Sequence, residues 1–260
     1  MAERKMIIID AGHGGSEPGA IYNGRREEDD NLRLALAVGR LLAEKGFDVR
    51  YTRTDDTYQT PLEKVMIANR AGGDYFVSLH RNAMPIPGSG SGVESLVFEN
   101  SGVAGEMAQA IDENLSRLGF QDLGVKERPG LVVLRRTQMP AVLVEAGFID
   151  NEEDNQKFDR EFNRIAAAIA DGVAQTIVRQ EEREPEYYQV QTGAYRMRSL
   201  AQQQVDTLRS QGFPAFMVYE DGYYKVRAGA FRNLDYAAAQ EKELRNLGYN
   251  TILVRRKAVT

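Results

Sequence analysis

The sequence predicts an α/β protein, with a mixed, mostly parallel twisted sheet carrying helices on both faces, followed by a smaller α+β unit. Three observations carry that expectation. Apolar runs of strand length alternate with amphipathic stretches of helix length through residue 178. The chain's two histidines, His13 and His80, each follow an apolar run at its end. From Tyr187 onward the chain repeats itself with a period of 36 residues.

The first strand is read at residues 5–10. Its exit, "DAGHGGSEPGA", places Gly12, Gly14, Gly15 and Gly19 around His13. A phosphate cradle, a metal site and a tight turn all fit such a stretch. No Lys-Ser/Thr pair follows the glycines, and their spacing is not that of a dinucleotide fingerprint, which disfavours the phosphate. A helix is read at 28–45, and the preceding "NGRREEDDN" gives it an acidic first turn that complements the helix dipole. Next come a strand at 48–52, a helix at 61–71 and a strand at 75–80, in which Phe76, Ser78 and His80 point one way. Strands at 92–99, 130–134 and 141–145 and helices at 102–118 and 155–179 complete the unit. In open sheets of this class, ligands bind beyond the carboxyl ends of the strands, where His13, His80 and Glu145 fall.

Composition narrows the chemistry. The 260 residues include no cysteine, so disulfides and thiolate metal sites are excluded and any metal rests on His, Asp or Glu. The apolar runs are far shorter than the roughly 20 residues that span a bilayer, so no membrane partner is expected. The start, Met-Ala-Glu-Arg-Lys, leads straight into a strand without a secretory signal. Two imidazoles and a carboxylate form the ligand set of many catalytic zinc sites, and Glu27, Glu28, Asp29 and Asp30 offer that carboxylate. Glu145 ends the apolar run in "MPAVLVEAGFIDN". Burying a carboxylate there is costly unless it is paired or protonated, which suggests a function. Asp10 is read either as orienting an imidazole or as shaping the turn.

"YYQVQTGAYRMRSLAQQQVDTLRSQGFPAFMV" lies over "YYKVRAGAFRNLDYAAAQEKELRNLGYNTILV". Each copy reads as strand, helix, strand, with helices at 199–211 and 235–247, so the pair predicts a βαββαβ, ferredoxin-like domain. "QEEREPE" reads as a linker. The expected boundaries are 1–178 for the first domain, 179–186 for the linker and 187–260 for the repeat domain. From Tyr187 onward, 11 Lys and Arg face 6 Asp and Glu, a modest basic surplus. Alternation directs Tyr188, Val190, Tyr224 and Val226 toward the helices. Gln189, Gln191, Lys225 and Arg227 then line the open face beside Tyr195 and Phe231, an aromatic and polar surface suited to a sugar chain. RNA is disfavoured, because adjacent strand aromatics are missing from that face.

"DAGHGGSEPGA", "NGRREEDDNLRLAL", "SLHRNA" and "MPAVLVEAGFIDN", in this order, resemble the four motifs of the zinc-dependent N-acetylmuramoyl-L-alanine amidases of the amidase-3 type. The 36-residue repeat resembles the SPOR domain of peptidoglycan-associated proteins. The combination resembles the amidases with which spore formers lyse the mother-cell wall. The resemblance implies one Zn2+ held by His13, Glu27 and His80, with Glu145 as the catalytic carboxylate. Glu28 stands where the family commonly has Lys, which keeps it in view as the alternative third ligand. The implied bond is the amide between N-acetylmuramic acid and L-alanine of the stem peptide. The implied partners are peptidoglycan and, for the repeat domain, denuded glycan strands; the site of action is the cell wall, and with no signal seen either the protein starts in the mother-cell cytoplasm or the chain has been trimmed. Some cell-division members insert an inhibitory helix after the second histidine motif, and residues 85–92, "PIPGSGSG", are too short for one. A noncatalytic wall-binding protein is disfavoured because all four positions are filled.

Overall fold

The computed structural model describes residues 4–182, 186–231 and 234–257. The chain divides into two compact units, with the break between Gln180 and Glu181. The first is built on six strands: β1 (Met6–Ala11), β4 (Asp48–Tyr51), β5 (Tyr75–Asn82), β6 (Glu94–Val97), β7 (Lys126–Glu127) and β8 (Ala141–Phe148), in the order β4-β1-β5-β8-β6-β7. Only the β6–β8 pairing is antiparallel, so the sheet is mixed and mostly parallel. A short hairpin of β2 (Ile21–Tyr22) and β3 (Arg25–Arg26) leads into α1 (Glu27–Glu44). Helices α2 (Pro61–Ala71), α3 (Gly102–Ser116), α4 (Val132–Arg136), α5 (Glu152–Arg160) and α6 (Phe162–Glu182) complete the unit.

Strand alternation divides the core into two layers. Ile7 and Ile9 pack with Leu34, Val38 and Leu42 of α1, Ile111 and Leu115 of α3 and Ile169 and Val173 of α6. Ile8, Phe76 and Leu143 face the other way, against Val65 and Ala68 of α2 and Val133 and Leu134 of α4. The same parity sends His80 and Glu145 to the α2 and α4 side, and Arg81 to the side of α1 and α5.

Several boundaries differ from the sequence reading. Residues 130–134, read as a strand, contribute to α4 instead. Their apolar run is short enough for either state, and a helix buries Val133 and Leu134 while leaving Arg135 and Arg136 exposed. The helix read at 155–179 is two, because Asn151 caps a separate α5 by accepting from the Glu153 and Asp154 amides. Strands β5 and β8 run past His80 and Glu145, so neither residue ends its strand. Helix α6 continues to Glu182, into the stretch read as linker, of which residues 183–185 lie outside the described residues. No helix lies in residues 85–92, and no helix among the described residues is long and apolar enough to cross a membrane.

The second unit comprises β9 (Glu186–Tyr195), α7 (Arg198–Ser210), β10 (Ala215–Glu220), β11 (Tyr223–Phe231), α8 (Leu234–Asn246) and β12 (Ile252–Lys257). Its antiparallel order is β10-β11-β9-β12. Val190, Val226 and Ala228 pack under the helices with the repeat-related Leu208 and Leu244.

Asp112, on the buried face of α3, accepts from the Ser95 amide (3.1 Å) and hydroxyl (2.6 Å). Burial pushes its carboxyl up to about 7, against the opposing Ser95 hydrogen bonds. The folded chain thus holds a proton that the unfolded chain releases near pH 4. The stability linked to that proton is fully present below the unfolded value of 3.8 and is lost as pH rises through 7. Asp112→Asn is expected to remove the loss, raising stability by on the order of 2 kcal/mol at pH 8 and hardly at all at pH 4. Thermal melts at the two pH values check this.

Candidate active site

Three segments converge at the carboxyl end of the first sheet. His13 follows β1, Glu27 is the first residue of α1, and His80 lies in β5. Glu27 Oε2 is 3.1 Å from His13 Nε2, and Glu27 Oε1 is 3.0 Å from His80 Nδ1. The imidazoles meet edge to face at 4.9 Å between centroids. One ligand atom from each residue lies within 4.8 Å of the others, so the trio could hold a metal ion.

The glycines make room for this cluster. A Cβ on Gly12 would sit 2.3–2.7 Å from atoms of the His80 ring. One on Gly19, where φ is +68°, would sit 2.5 Å from Glu27 Oε2 and 2.6 Å from the His13 ring. Carbonyls of the same loop accept the first amides of α1, with Glu27 N–H donating to Ala20 (3.0 Å) and Glu28 N–H to Pro18 (3.1 Å). The loop caps the helix, and the Glu27 position follows from that cap.

Glu27 is buried and further held by the Asn31 amide (3.1 Å), the Arg81 backbone N–H (3.2 Å) and the Ala20 N–H (3.0 Å). Burial alone would raise its pKa, yet the hydrogen bonds and charges of the two histidines hold it well below the usual carboxylate range. Burial disfavours the His13 imidazolium, but Glu27 and Glu17 outweigh it and raise His13 to about 9. The site therefore attracts positive charge between its side chains. Glu28 turns elsewhere, toward Arg26 and Asp56, because consecutive helix positions cannot share a face.

Glu145 stands beside His80 in the β5–β8 register, and Glu94 stands beside Glu145 in β6. Glu94 is paired with Lys126 and accepts from Asn82 (2.9 Å). Glu145 Oε2 is buried without a hydrogen-bond partner. Burial pushes the Glu145 carboxyl up to about 7; Glu27 and Glu94 add to the rise, and His80 and His13 oppose it. A proton-accepting group poised near neutrality adjoins the three-residue cluster.

Asp10 does not orient an imidazole. It accepts from Thr52 (2.6 Å) and Ser78 (2.6 Å) and pairs with Lys64 at 3.0 Å. Lys64 also donates to the Ala11 carbonyl (2.5 Å). Arg53 donates to the carbonyls of Ala11, Gly12 and Glu28, tying the His13 loop to α1. Fully buried Arg81 joins Asp30 (2.6 Å) to Asn155 (2.8 Å) under Glu27. Sequence reasoning missed Arg53, Lys64 and Arg81, whose charges carry no local signal of burial. A cleft of about 340 Å³ runs from His13 and His80 along Tyr58, Pro61, Leu131 and Val132.

In the second unit, Gln189, Gln191, Lys225 and Arg227 share the open face, but its charge is largely spent internally. Glu220 pairs with Arg227 (2.5 Å), Lys225 (3.5 Å) and Arg256, and Arg227 is only 3 % exposed. Arg227 also donates to Gln189 (3.2 Å). Tyr195 and Phe231 do not lie beside these groups. Each folds over the glycine two residues before it, Gly193 or Gly229, next to Gln204 of α7 or Gln240 of α8. The register shifts in the β9–β11 pairing break the strict alternation that the sequence reading assumed.

An open α/β sheet with two imidazoles and a carboxylate at its carboxyl edge, and a raised glutamate on the next strand, has the layout of a metal-assisted hydrolase. Comparison with known proteins agrees. The N-acetylmuramoyl-L-alanine amidase profile of the amidase-3 type matches residues 7–175, and the SPOR domain profile matches residues 184–255. The chain is 33% identical over 221 residues to the sporulation-specific N-acetylmuramoyl-L-alanine amidase of Bacillus subtilis (strain 168), covering 83% of this chain and 85% of that protein. It is 34% identical to the N-acetylmuramoyl-L-alanine amidase CwlM of Bacillus licheniformis, with the same coverage. The catalytic domain of the amidase CwlV from Bacillus (Paenibacillus) polymyxa var. colistinus superposes with a TM-score of 0.62 at 31% identity, covering 67% of this chain and 98% of that domain. The chain belongs to the N-acetylmuramoyl-L-alanine amidase family, and it is a peptidoglycan amidase with a C-terminal SPOR domain.

Gly12→Ala is expected to lower metal affinity at least tenfold while shifting the melting temperature little, because the added methyl meets the ring of His80 rather than the core. Affinity for a metal ion added to the unmodified protein is expected to rise from pH 6 to pH 9, since an ion held by the trio would have to displace the His13 proton. Titration with a competing chelator measures both.

Proposed function

We propose that this amidase is zinc-dependent, with His13, Glu27 and His80 as ligands and Glu145 as the catalytic carboxylate. In this reading the enzyme cleaves the amide between N-acetylmuramic acid and L-alanine during mother-cell lysis in sporulation. The observation that carries it is the convergence of the trio beside a buried Glu145 oxygen that has no other partner. Two imidazoles and a carboxylate suit zinc, and the space kept by Gly12 and Gly19 suits an ion held among them.

When bound, zinc supplies Lewis acidity that polarises the scissile carbonyl and acidifies water. Glu145 takes one proton from the attacking water and passes it to the amide nitrogen, so that the stem peptide leaves with L-alanine as a neutral amine, and the muramic acid keeps the new carboxyl group, whose remaining proton passes to solvent. The low-dielectric surroundings that raise Glu145 also make the protonated acid available for the second transfer. Pro61, Leu131 and Val132 give the cleft beside the trio an apolar wall, which would limit water around a substrate lying along it.

The SPOR unit is read as the tether to glycan strands lacking stem peptides, with Gln189 and Gln191 as donors and acceptors for sugar hydroxyls. The similarity to a sporulation-specific amidase supports the sporulation role. Glu145→Ala is expected to bind zinc normally and to lose at least a thousandfold in rate; release of new amino groups from purified cell walls, without new reducing ends, measures the wild-type reaction. Release of reducing ends would identify a glycosidase and sink the proposal. Gln191→Ala is expected to reduce pull-down by denuded glycan several-fold and to leave hydrolysis of soluble muropeptides unchanged.

A further inference from the structure

Glu17 lies in the turn after His13 and belongs to neither the ligand trio nor the proton-transfer step. Its backbone closes a two-way pair with Gly14, through Gly14 N–H to the Glu17 carbonyl (2.9 Å) and Glu17 N–H to the Gly14 carbonyl (3.1 Å). Its side chain is half-exposed, at 51 %. One carboxylate oxygen accepts from the Gly19 N–H at 3.3 Å, and the other faces His13 Nδ1. The opposite ring nitrogen, Nε2, faces Glu27. Two carboxylates thus hold the two nitrogens of one imidazole, one on the metal-facing side and one on the solvent side.

His80 is held differently. Its Nδ1 faces Glu27, and the other side of its ring packs against the bare backbone of Gly12. The ring of His80 packs on Gly12 and that of His13 on Gly19, so what distinguishes His13 is the carboxylate of Glu17 at its second ring nitrogen.

We infer that Glu17 is a positioning residue for the metal site: it accepts a hydrogen bond from His13 Nδ1–H, selecting the tautomer whose Nε2 lone pair points at the metal. The inference rests on the zinc reading above. A carboxylate behind a ligating imidazole fixes ring orientation and raises the basicity of the ligand nitrogen, and its loss typically weakens metal binding 10–100-fold.

The test uses the full chain and zinc alone. Glu17→Ala is expected to raise the zinc dissociation constant by about 10–100-fold in chelator competition. Glu17→Gln keeps an acceptor oxygen and is expected to recover most of that loss. In the zinc-loaded wild type, nitrogen-15 spectra are expected to show His13 with a slowly exchanging Nδ1–H, and this proton signal is expected to be lost in Glu17→Ala. An alanine variant whose zinc affinity stays within twofold of wild type and whose His13 ring signals are unchanged overturns the inference, even if its melting temperature falls. Wild-type protein that takes up no zinc overturns the ligand reading together with this one, whereas zinc uptake with an indifferent Glu17→Ala overturns this one alone.

Discussion

The carboxylate of Glu27, set between two imidazoles, is the interaction on which the catalytic unit is organised. It joins a loop after β1, the start of α1 and the C-terminal half of β5, segments more than 50 residues apart at the extremes. None of them places its side chain alone. The loop supplies carbonyls that cap the helix, the helix delivers Glu27, and Asn31 one turn later returns a bond to Gly12 (3.3 Å) as well as to Glu27. Position 12 must be glycine for His80 to reach the same point. Sheet, loop and helix are thereby fixed in one register.

Such a site needs buried charge around it, and the chain provides it in compensated form. Arg53, Lys64 and Arg81 are all buried, and each is surrounded by acceptors: backbone carbonyls for Arg53, Asp10 and Ala11 for Lys64, and Asp30 and Asn155 for Arg81. An unpaired cation in these places would cost several kcal/mol, so each group demands the geometry of its partners. The gain is specificity of position more than stability. These cations hold the loops beside the His13, Glu27 and His80 trio, while Glu145 is left with a buried oxygen that has no hydrogen-bond partner.

Much of this was legible in the sequence, for identifiable reasons. The layered core followed from strand parity at Ile7, Ile8 and Ile9, and the site from polar residues where apolar runs end. Among the features misread, missed or left open between alternatives, three show why. The run at 131–134 is too short to show a period, and its helical state depends on the floor offered by Leu143 and Phe76. The hairpin before α1 carried a signal that went unused: Asn23 and Gly24, both at positive φ between two short strands, form the favoured two-residue turn. Glu27 and Glu28 are chemically alike in sequence, and only the helix phase, set by the loop that caps it, separates a carboxylate facing two histidines from one facing Arg26.

The SPOR unit shows the limit of reading charge as a label for partners. Its modest basic surplus does not stand free, because Glu220 draws Lys225, Arg227 and Arg256 into one network on the open face. Little net charge is then left on that face for long-range attraction, which suits the proposed uncharged sugar chain better than a phosphate backbone, whose binding rests on released counterions. Such contacts are individually weak. Joined in one chain to a hydrolase, they still matter, because tethering raises the effective concentration of wall polymer at the catalytic unit without any new contact to the scissile bond.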